Sequence, residues 1–303
     1  MGAMIRNPGA AVAATEVQMP LSKTPQLSEA ELKTIARDLR VWCLKMIHKA
    51  ASGHPGGSLS LADIITAFYF KLLKHDPKNP SWPERDRFIL SKGHGVPALY
   101  AAMAMSGYFS EDLLLTLRSL GSPLQGHPDR VRLPCIEAST GSLGQGLSIA
   151  QGMAMGLRLD KIDAMVYCVM GDGEIQEGQV WEAAMSIPMH KLDHVCAMVD
   201  WNKGQIDGQV KDVMNIEPIG EKFTAFGWNV LQIDGHSLSA IIGAVEMAKA
   251  NARAGCGKPT MIVCDTLKGK GVKFMEEGQN AWHGSAPSRE QTDKAIAEIM
   301  GAK

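Results

Sequence analysis

Five short apolar runs alternate with helical segments along this chain, and a loop rich in Gly, His, Asp or Asn follows each run directly. The runs are residues 87–91, 164–170, 194–200, 228–233 and 260–266. Apolar runs of this length, separated by segments of helical periodicity, are typical of buried strands in a parallel sheet. The sequence therefore predicts an α/β fold with a mainly parallel sheet flanked by helices.

The helical segments have their own signals. Ser28, followed three residues later by Glu31, forms a capping-box pattern at the start of a helix over 28–51. Apolar periodicity predicts a single helix over 60–73 after the glycine-rich break at 53–57, and further helices over 145–158, 178–187 and 237–253.

Composition excludes several classes of protein. The formal net charge of the 303 residues is −1, with acids and bases interspersed, so we expect neither a nucleic-acid nor a membrane partner. The six cysteines form no C-x-x-C pair, which favours reduced thiols and a cytoplasmic location. Residues 1–26 lack the apolar stretch of a signal peptide and are expected to form a flexible or partner-bound extension. We assign residues 27–303 to one domain that ends in a loop and helix arm.

The polar loops are expected to meet at one edge of the sheet, because ligands of open parallel sheets bind outside the carboxyl ends of the strands. Asp172 stands in a Gly-Asp-Gly turn after the second run, and Asn202 follows the third. Carboxylate and amide oxygens suit Mg²⁺, which keeps room in its shell for substrate phosphates. Gly-Asp-Gly alone is an ordinary turn, but the pair predicts a site for a metal ion and a diphosphate.

These segments carry a family resemblance. "GDGEIQEG" followed by "WNKGQIDG" resembles the cofactor motif of thiamine diphosphate enzymes, and five further segments resemble transketolase in particular. They are "SGHPGGSLS", "LSKGHGVPALYAA", "GHPDR", "TGSLGQGLS" and "AWHG". The resemblance covers about residues 28 to 290 in the family's order. It implies the thiamine diphosphate-binding fold and ketol transfer.

The resemblance also implies roles for individual residues. Asp172, Asn202 and the carbonyl of Gly204 would bind Mg²⁺ or Ca²⁺, although many relatives have a branched residue at the position of Gly204. The cofactor would be contacted by His94, Gly141, Ser142, Leu143, Gly173, Asn202 and His283. Many full-length members carry proline where this chain has Ser142. Substrate hydroxyl groups would be met by His54, His127 and His283.

Other polar residues allow more than one interpretation. His236 is expected to be structural, and Lys268 is equally consistent with a phosphate contact or a solvated loop lysine. Glu174, Glu177 and Glu182 are by default surface acids at a helix start, while Glu177 and Glu182 also match family positions at the subunit interface. His48, His75, His190 and His194 are expected to be surface or satisfied core histidines.

In the family, a glutamate from a second, pyrimidine-binding domain completes the site. We expect this chain to be the N-terminal subunit of a split transketolase, self-associating as a dimer and pairing with a separate C-terminal subunit in an α2β2 assembly. Pentose phosphates, a branched sugar phosphate and a sulfonated sugar remain open as substrates. The alternatives are the α subunit of a 2-oxoacid dehydrogenase, deoxyxylulose-phosphate synthase and a non-catalytic homologue that binds thiamine diphosphate.

Overall fold

The computed structural model describes residues 27–301, so the expected extension over residues 1–26 lies outside the described residues. The α-helices are α1 Glu29–Ala50, α2 Pro55–Ser60, α3 Ala62–Ala67, α4 Val96–Met105, α5 Gln145–Leu159, α6 Gly178–Met189, α7 Val210–Val213, α8 Ile219–Ala225, α9 Leu238–Arg253, α10 Lys273–Gly278 and α11 Arg289–Ile299. The strands are β1 Arg87–Leu90, β2 Val166–Gly171, β3 Val195–Trp201, β4 Asn229–Asp234 and β5 Thr260–Asp265.

All five strands pair in parallel, in the order β1-β2-β3-β5-β4. Gly171 at the end of β2 is in register with Asp200 in β3, and Trp201 is in register with Asp265 at the end of β5. The three central strands therefore end at one edge, and the residues that follow them emerge side by side. This confirms the predicted α/β class.

The sheet buries both faces, because alternate residues of a strand point to opposite sides. Tyr167 and Val169 of β2 pack into the core under α1, α3, α4 and α9. Val166, Cys168 and Met170 pack into a second core under α5, α6 and α8. Near-continuous apolar runs in the central strands follow from this two-sided burial.

Two expectations about single elements were wrong. Residues 60–73 do not form one helix: α2 begins at Pro55, α3 ends at Ala67, and Phe68–Leu72 form a π-helical turn. Glycines 56 and 57 lie inside α2, where a proline at the first position favours a helix start. The fourth strand is not buried, because β4 lies at an edge of the sheet and its residues are half-buried or exposed.

The predicted capping box at the start of α1 is confirmed, since Ser28 Oγ accepts from the backbone N–H of Glu31 and the Glu31 carboxylate accepts from the backbone N–H of Ser28. Within residues 27–301, no helix is both long enough and apolar enough to cross a membrane.

Candidate active site

A cavity of about 340 Å³ opens at the carboxyl edge of the sheet, where the loops after β1, β2, β3 and β5 meet. The predicted site residues that line it are His54, His94, His127, Gly141, Leu143, Asp172, Gly173, Asn202, Gly204 and His283. Ser142 is exposed and is not among the lining residues. The cavity brings together side chains from distant parts of the chain, since His54 and His283 are 229 positions apart.

The predicted metal ligands occupy two adjacent loops. Asp172 is buried; its Oδ1 accepts from the N–H of Gly173 at 2.8 Å, and its Oδ2 accepts from the N–H of Lys203. Asn202 Oδ1 accepts from the N–H of Gly204 at 3.2 Å, which turns the chain tightly after β3. Burial, and then the nearby carboxylate of Asp200, raise the pKa of Asp172 to about 6. A carboxylate in this environment is stabilised by a bound cation.

Asp200 forms a buried hub that sequence analysis did not identify. Its carboxylate is fully buried and accepts from the Lys92 ammonium, from Ser60 Oγ at 2.7 Å and from Thr266 Oγ1. It also accepts from Asn202 Nδ2 at 3.2 Å, which fixes the amide of that side chain. Although burial opposes ionisation, Lys92 and these hydrogen bonds hold the pKa of Asp200 below its ordinary value.

Lys92 and Lys268 place two buried amines beside the cavity. Lys268 Nζ donates to the carbonyl oxygen of Gly204 at 2.8 Å and lies 2.9 Å from His283 Nδ1. The interpretation of Lys268 as a solvated loop lysine was therefore wrong. Burial, and then the charge of Lys92, lower its pKa to about 8.

Glu174 is buried rather than exposed at the helix start, so the surface expectation for this residue was wrong. Its carboxylate accepts from Ser91 Oγ, from Gly144 N–H at 3.0 Å and from Gly171 N–H at 3.0 Å. These bonds tie the loops after β1 and β2 together and explain how the acid tolerates burial. Glu177 and Glu182 are exposed.

Four histidines cluster in the cavity. The ring centroid of His54 lies 5.1 Å from that of His94, 5.5 Å from that of His283 and 6.5 Å from that of His127. Burial lowers the pKa of all four, to about 4 for His54 and about 3 for His283, with nearby cations adding to the effect. These imidazoles are therefore neutral near pH 7, and each offers one donor and one acceptor nitrogen.

Of the remaining histidines, His48, His75, His194 and His236 have hydrogen-bond partners, and His190 is exposed at the surface, as expected. His236 Nδ1 lies 2.8 Å from Asp63 Oδ2, and its Nε2 accepts from the N–H of Leu267 at 2.9 Å. His75 lies between the hydroxyl of Tyr108 and the carbonyl of Tyr69. Sequence offered a signal for the two residues it missed: Lys92 shares its loop with His94, and Asp200 is a charge at the end of an apolar run.

The donor set fits a diphosphate together with a divalent cation. Lys92, Lys268 and neutral imidazoles supply donors for anionic oxygens, while Asp172, the Asn202 amide and the Gly204 carbonyl supply oxygen ligands. His54 Nδ1 is buried and has no hydrogen-bond partner among the described residues. Among residues 27–301, no group of three or more His, Cys, Asp or Glu side chains is arranged to hold a metal ion.

The fold and this cavity define an α/β protein whose ligand site lies at the carboxyl edge of a parallel sheet. Residues 32–303 match the family model described as transketolase, thiamine diphosphate binding domain. The chain belongs to the transketolase family.

Known proteins similar to this chain fall into two length classes. It is 48% identical over 271 residues to the 6-deoxy-6-sulfo-D-fructose transketolase subunit SqwG of Clostridium sp. (strain MSTE9), covering 89% of this chain and 97% of that relative. It is 41% identical over 256 residues to a subunit of the apulose-4-phosphate transketolase of Phocaeicola vulgatus, covering 84% of this chain and 89% of that relative. The Campylobacter jejuni transketolase structure superposes with a TM-score of 0.84 at 37% identity, covering 90% of this chain but 43% of that one.

Proposed function

We propose that this chain is the diphosphate-binding subunit of a two-subunit transketolase, which moves a two-carbon ketol unit from a ketose to an aldose. One observation carries the proposal. The chain matches, over nearly their whole length, relatives that are named as transketolase subunits. Residues 27–303 would act as one domain of that enzyme.

The chain's own residues would hold the cofactor at its diphosphate end. Asp172, Asn202 and the Gly204 carbonyl would ligate Mg²⁺ or Ca²⁺, with the N–H of Gly173 close to phosphate oxygens. His94, His283 and Lys268 would donate to the same oxygens. Gly141 and Leu143 line the cavity where the rings would lie, while the exposed side chain of Ser142 leaves only its backbone for such a contact.

When bound, thiamine diphosphate supplies the carbon nucleophile and the electron sink for cleavage of the ketose C2–C3 bond. His54 and His127 would accept hydrogen bonds from substrate hydroxyl groups and move protons to and from them, and His283 would contact the same hydroxyl groups. The lowered pKa values of His54 and His127 suit this role, because a neutral imidazole keeps an acceptor nitrogen free. Nδ1 of His283 faces the Lys268 amine, which leaves its Nε2 for a ligand. The unpartnered Nδ1 of His54 supports a ligand contact at that end of the cavity.

The proposed partner is a C-terminal transketolase subunit in an α2β2 assembly, with self-association of this chain. Exposed apolar side chains on α5 and α6 support an interface there: Met155, Leu159, Met185 and Met189 are 36%, 83%, 53% and 80% exposed. The proposed location is the cytoplasm, because the six cysteines are unpaired and four are buried.

The test is to purify this chain alone, from a host without endogenous transketolase, and then to mix it with its C-terminal subunit. Ketol transfer should appear only in the mixture and saturate near one to one. Donors to compare are 6-deoxy-6-sulfo-D-fructose, apulose 4-phosphate and a pentulose phosphate. The sulfonated ketose comes first because its named relative shares 48% identity. Efficient ketol transfer by this chain alone would contradict the two-subunit proposal.

A further inference from the structure

Arg118 connects the two loops that carry His54 and His127. Its Nη1 donates to Ser52 Oγ at 2.8 Å, two residues before His54, and its Nη2 donates to the carbonyl of Gly126 at 3.4 Å, directly before His127. The two histidine-bearing loops are far apart in sequence, and the two hydrogen bonds of this guanidinium connect them directly.

The surroundings are built to hold this guanidinium in place. The Arg118 backbone is left-handed, with φ of 58°, and its N–H donates to the carbonyl of Leu124 at 2.8 Å. A Cβ at Gly126 would lie 2.8 Å from Arg118 Cζ, so the guanidinium occupies space that the missing side chain of this glycine leaves open. A left-handed conformation at a residue other than glycine is strained and persists where the surroundings require it.

The positive charge of Arg118 also acts on the rings of both His54 and His127 and lowers the pKa of each. Around His54 the other charged or titratable groups are His127, Lys92 and Lys268, with the rings of His94 and His283 in contact range. For His127, Arg118 is the charged group that acts with burial to lower the pKa. Removing this cation should therefore raise the pKa of both imidazoles.

We propose that Arg118 is a positioning residue for ketol transfer: through its bonds to Ser52 and Gly126 it fixes the spacing of His54 and His127 toward the hydroxyl groups of the ketose. The proposal rests on the proposed function of the same site. Arg118 itself is not among the residues that line the cavity. It acts through the two rings, whose misplacement by about 1 Å can reduce a rate on the order of 100-fold.

The experiment uses the complex of this chain with its C-terminal subunit. Arg118→Met should lower kcat/KM for the ketose on the order of 100-fold, leave the Kd for thiamine diphosphate with Mg²⁺ almost unchanged, and move the acidic limb of the pH profile to higher pH. Arg118→Lys keeps the positive charge but cannot bond to Ser52 and Gly126 together. The acidic limb of its pH profile should therefore stay in place while kcat/KM still falls. Ser52→Ala removes one bond and should likewise leave the limb unmoved.

Arg132→Met is the matched control, because this arginine is in the loop after His127 and its side chain is 57% exposed; its kinetics should match those of the parent. The proposal would be overturned if Arg118→Met lost activity in proportion to its loss of cofactor affinity or Tm while the acidic limb of its pH profile did not move. Arg118 would then have only a structural role.

A second measurement does not need ketol transfer. The ¹⁵N shifts of the His54 and His127 rings are titrated by NMR in the chain itself, with His54→Asn and His127→Asn for assignment. Both midpoints should rise in Arg118→Met, and unchanged midpoints would overturn the proposal. Absence of ketol transfer by the parent complex would instead contradict the proposed function, so the two failures are distinguishable.

Discussion

Asn280 Oδ1 occupies the space that a Cβ would need at position 204. A Cβ built on Gly204 would lie 2.7 Å from this oxygen, which is buried and has no hydrogen-bond partner among the described residues. A side chain at position 204 would therefore have to displace a residue that lies 76 positions further along the chain. With glycine at position 204 and Asn280 beside it, the carbonyl oxygen of Gly204 accepts a hydrogen bond from Lys268.

Gly204→Ala should destabilise the chain by about 1 kcal/mol, the low end of the cost of overpacking, because the added methyl group must displace the side-chain oxygen of Asn280. Asn280→Ala should be close to neutral, since it removes an acceptor that has no partner. The double variant should recover most of the lost stability, with a favourable coupling of about 0.5 kcal/mol or more. Denaturant unfolding of the parent, the two single variants and the double variant measures this double-mutant cycle. Strictly additive changes in the free energy of unfolding would contradict the coupling.

Metal-dependent binding of thiamine diphosphate should weaken as the pH falls below about 6. Asp172 has a pKa raised to about 6 by burial and by Asp200, and only its ionised form can ligate Mg²⁺. Affinity should then fall by about tenfold per pH unit. Stability of the metal-free chain should change in the opposite sense, decreasing as pH rises from about 4 to about 6, because the folded pKa exceeds the unfolded one.

Calorimetric titration of the complex with and without Mg²⁺, between about pH 5 and about pH 7.5 on either side of the raised pKa, checks this dependence. Asp172→Ala is the comparison, because it should lose the metal-dependent part of cofactor affinity at every pH. Equal metal-dependent affinity in the parent and in Asp172→Ala would remove this residue from the proposed ligand set.

His127→Ala should impair use of the donor ketose while leaving cofactor affinity almost unchanged, because its proposed contact is to substrate hydroxyl groups. We expect kcat/KM for the ketose to fall by about 10²- to 10⁴-fold, the range for loss of a general acid–base group. His190→Ala is the matched control, since His190 is exposed at the end of α6. If cofactor affinity falls in step with activity, His127 belongs with the cofactor ligands instead.

The sequence by itself determined the fold class and most of the site. Runs of apolar residues separated by helical periodicity define a parallel sheet, and such a sheet has one edge where its loops meet. The order of these runs and loops along the chain predicted that Asp172, Asn202 and His94 lie at the same edge, whereas the places of His54, His127 and His283 followed from the resemblance to transketolase. Their residue types identified the chemistry, since oxygen ligands and imidazoles suit a metal ion, a phosphate and hydroxyl groups.

Only the tertiary structure decided which charged residues are buried. Lys92 and Lys268 have the same local sequence signals as solvated loop residues, and Asp200 is a lone charge at the end of an apolar run. Charge and turn chemistry are local, while burial depends on distant segments. Glu174 was placed at the surface for the same reason, and its partner Ser91 comes from a different strand end. The bridge from Arg118 to two loops and the fit of Asn280 against Gly204 are likewise contacts between distant residues, which no local pattern in the chain records.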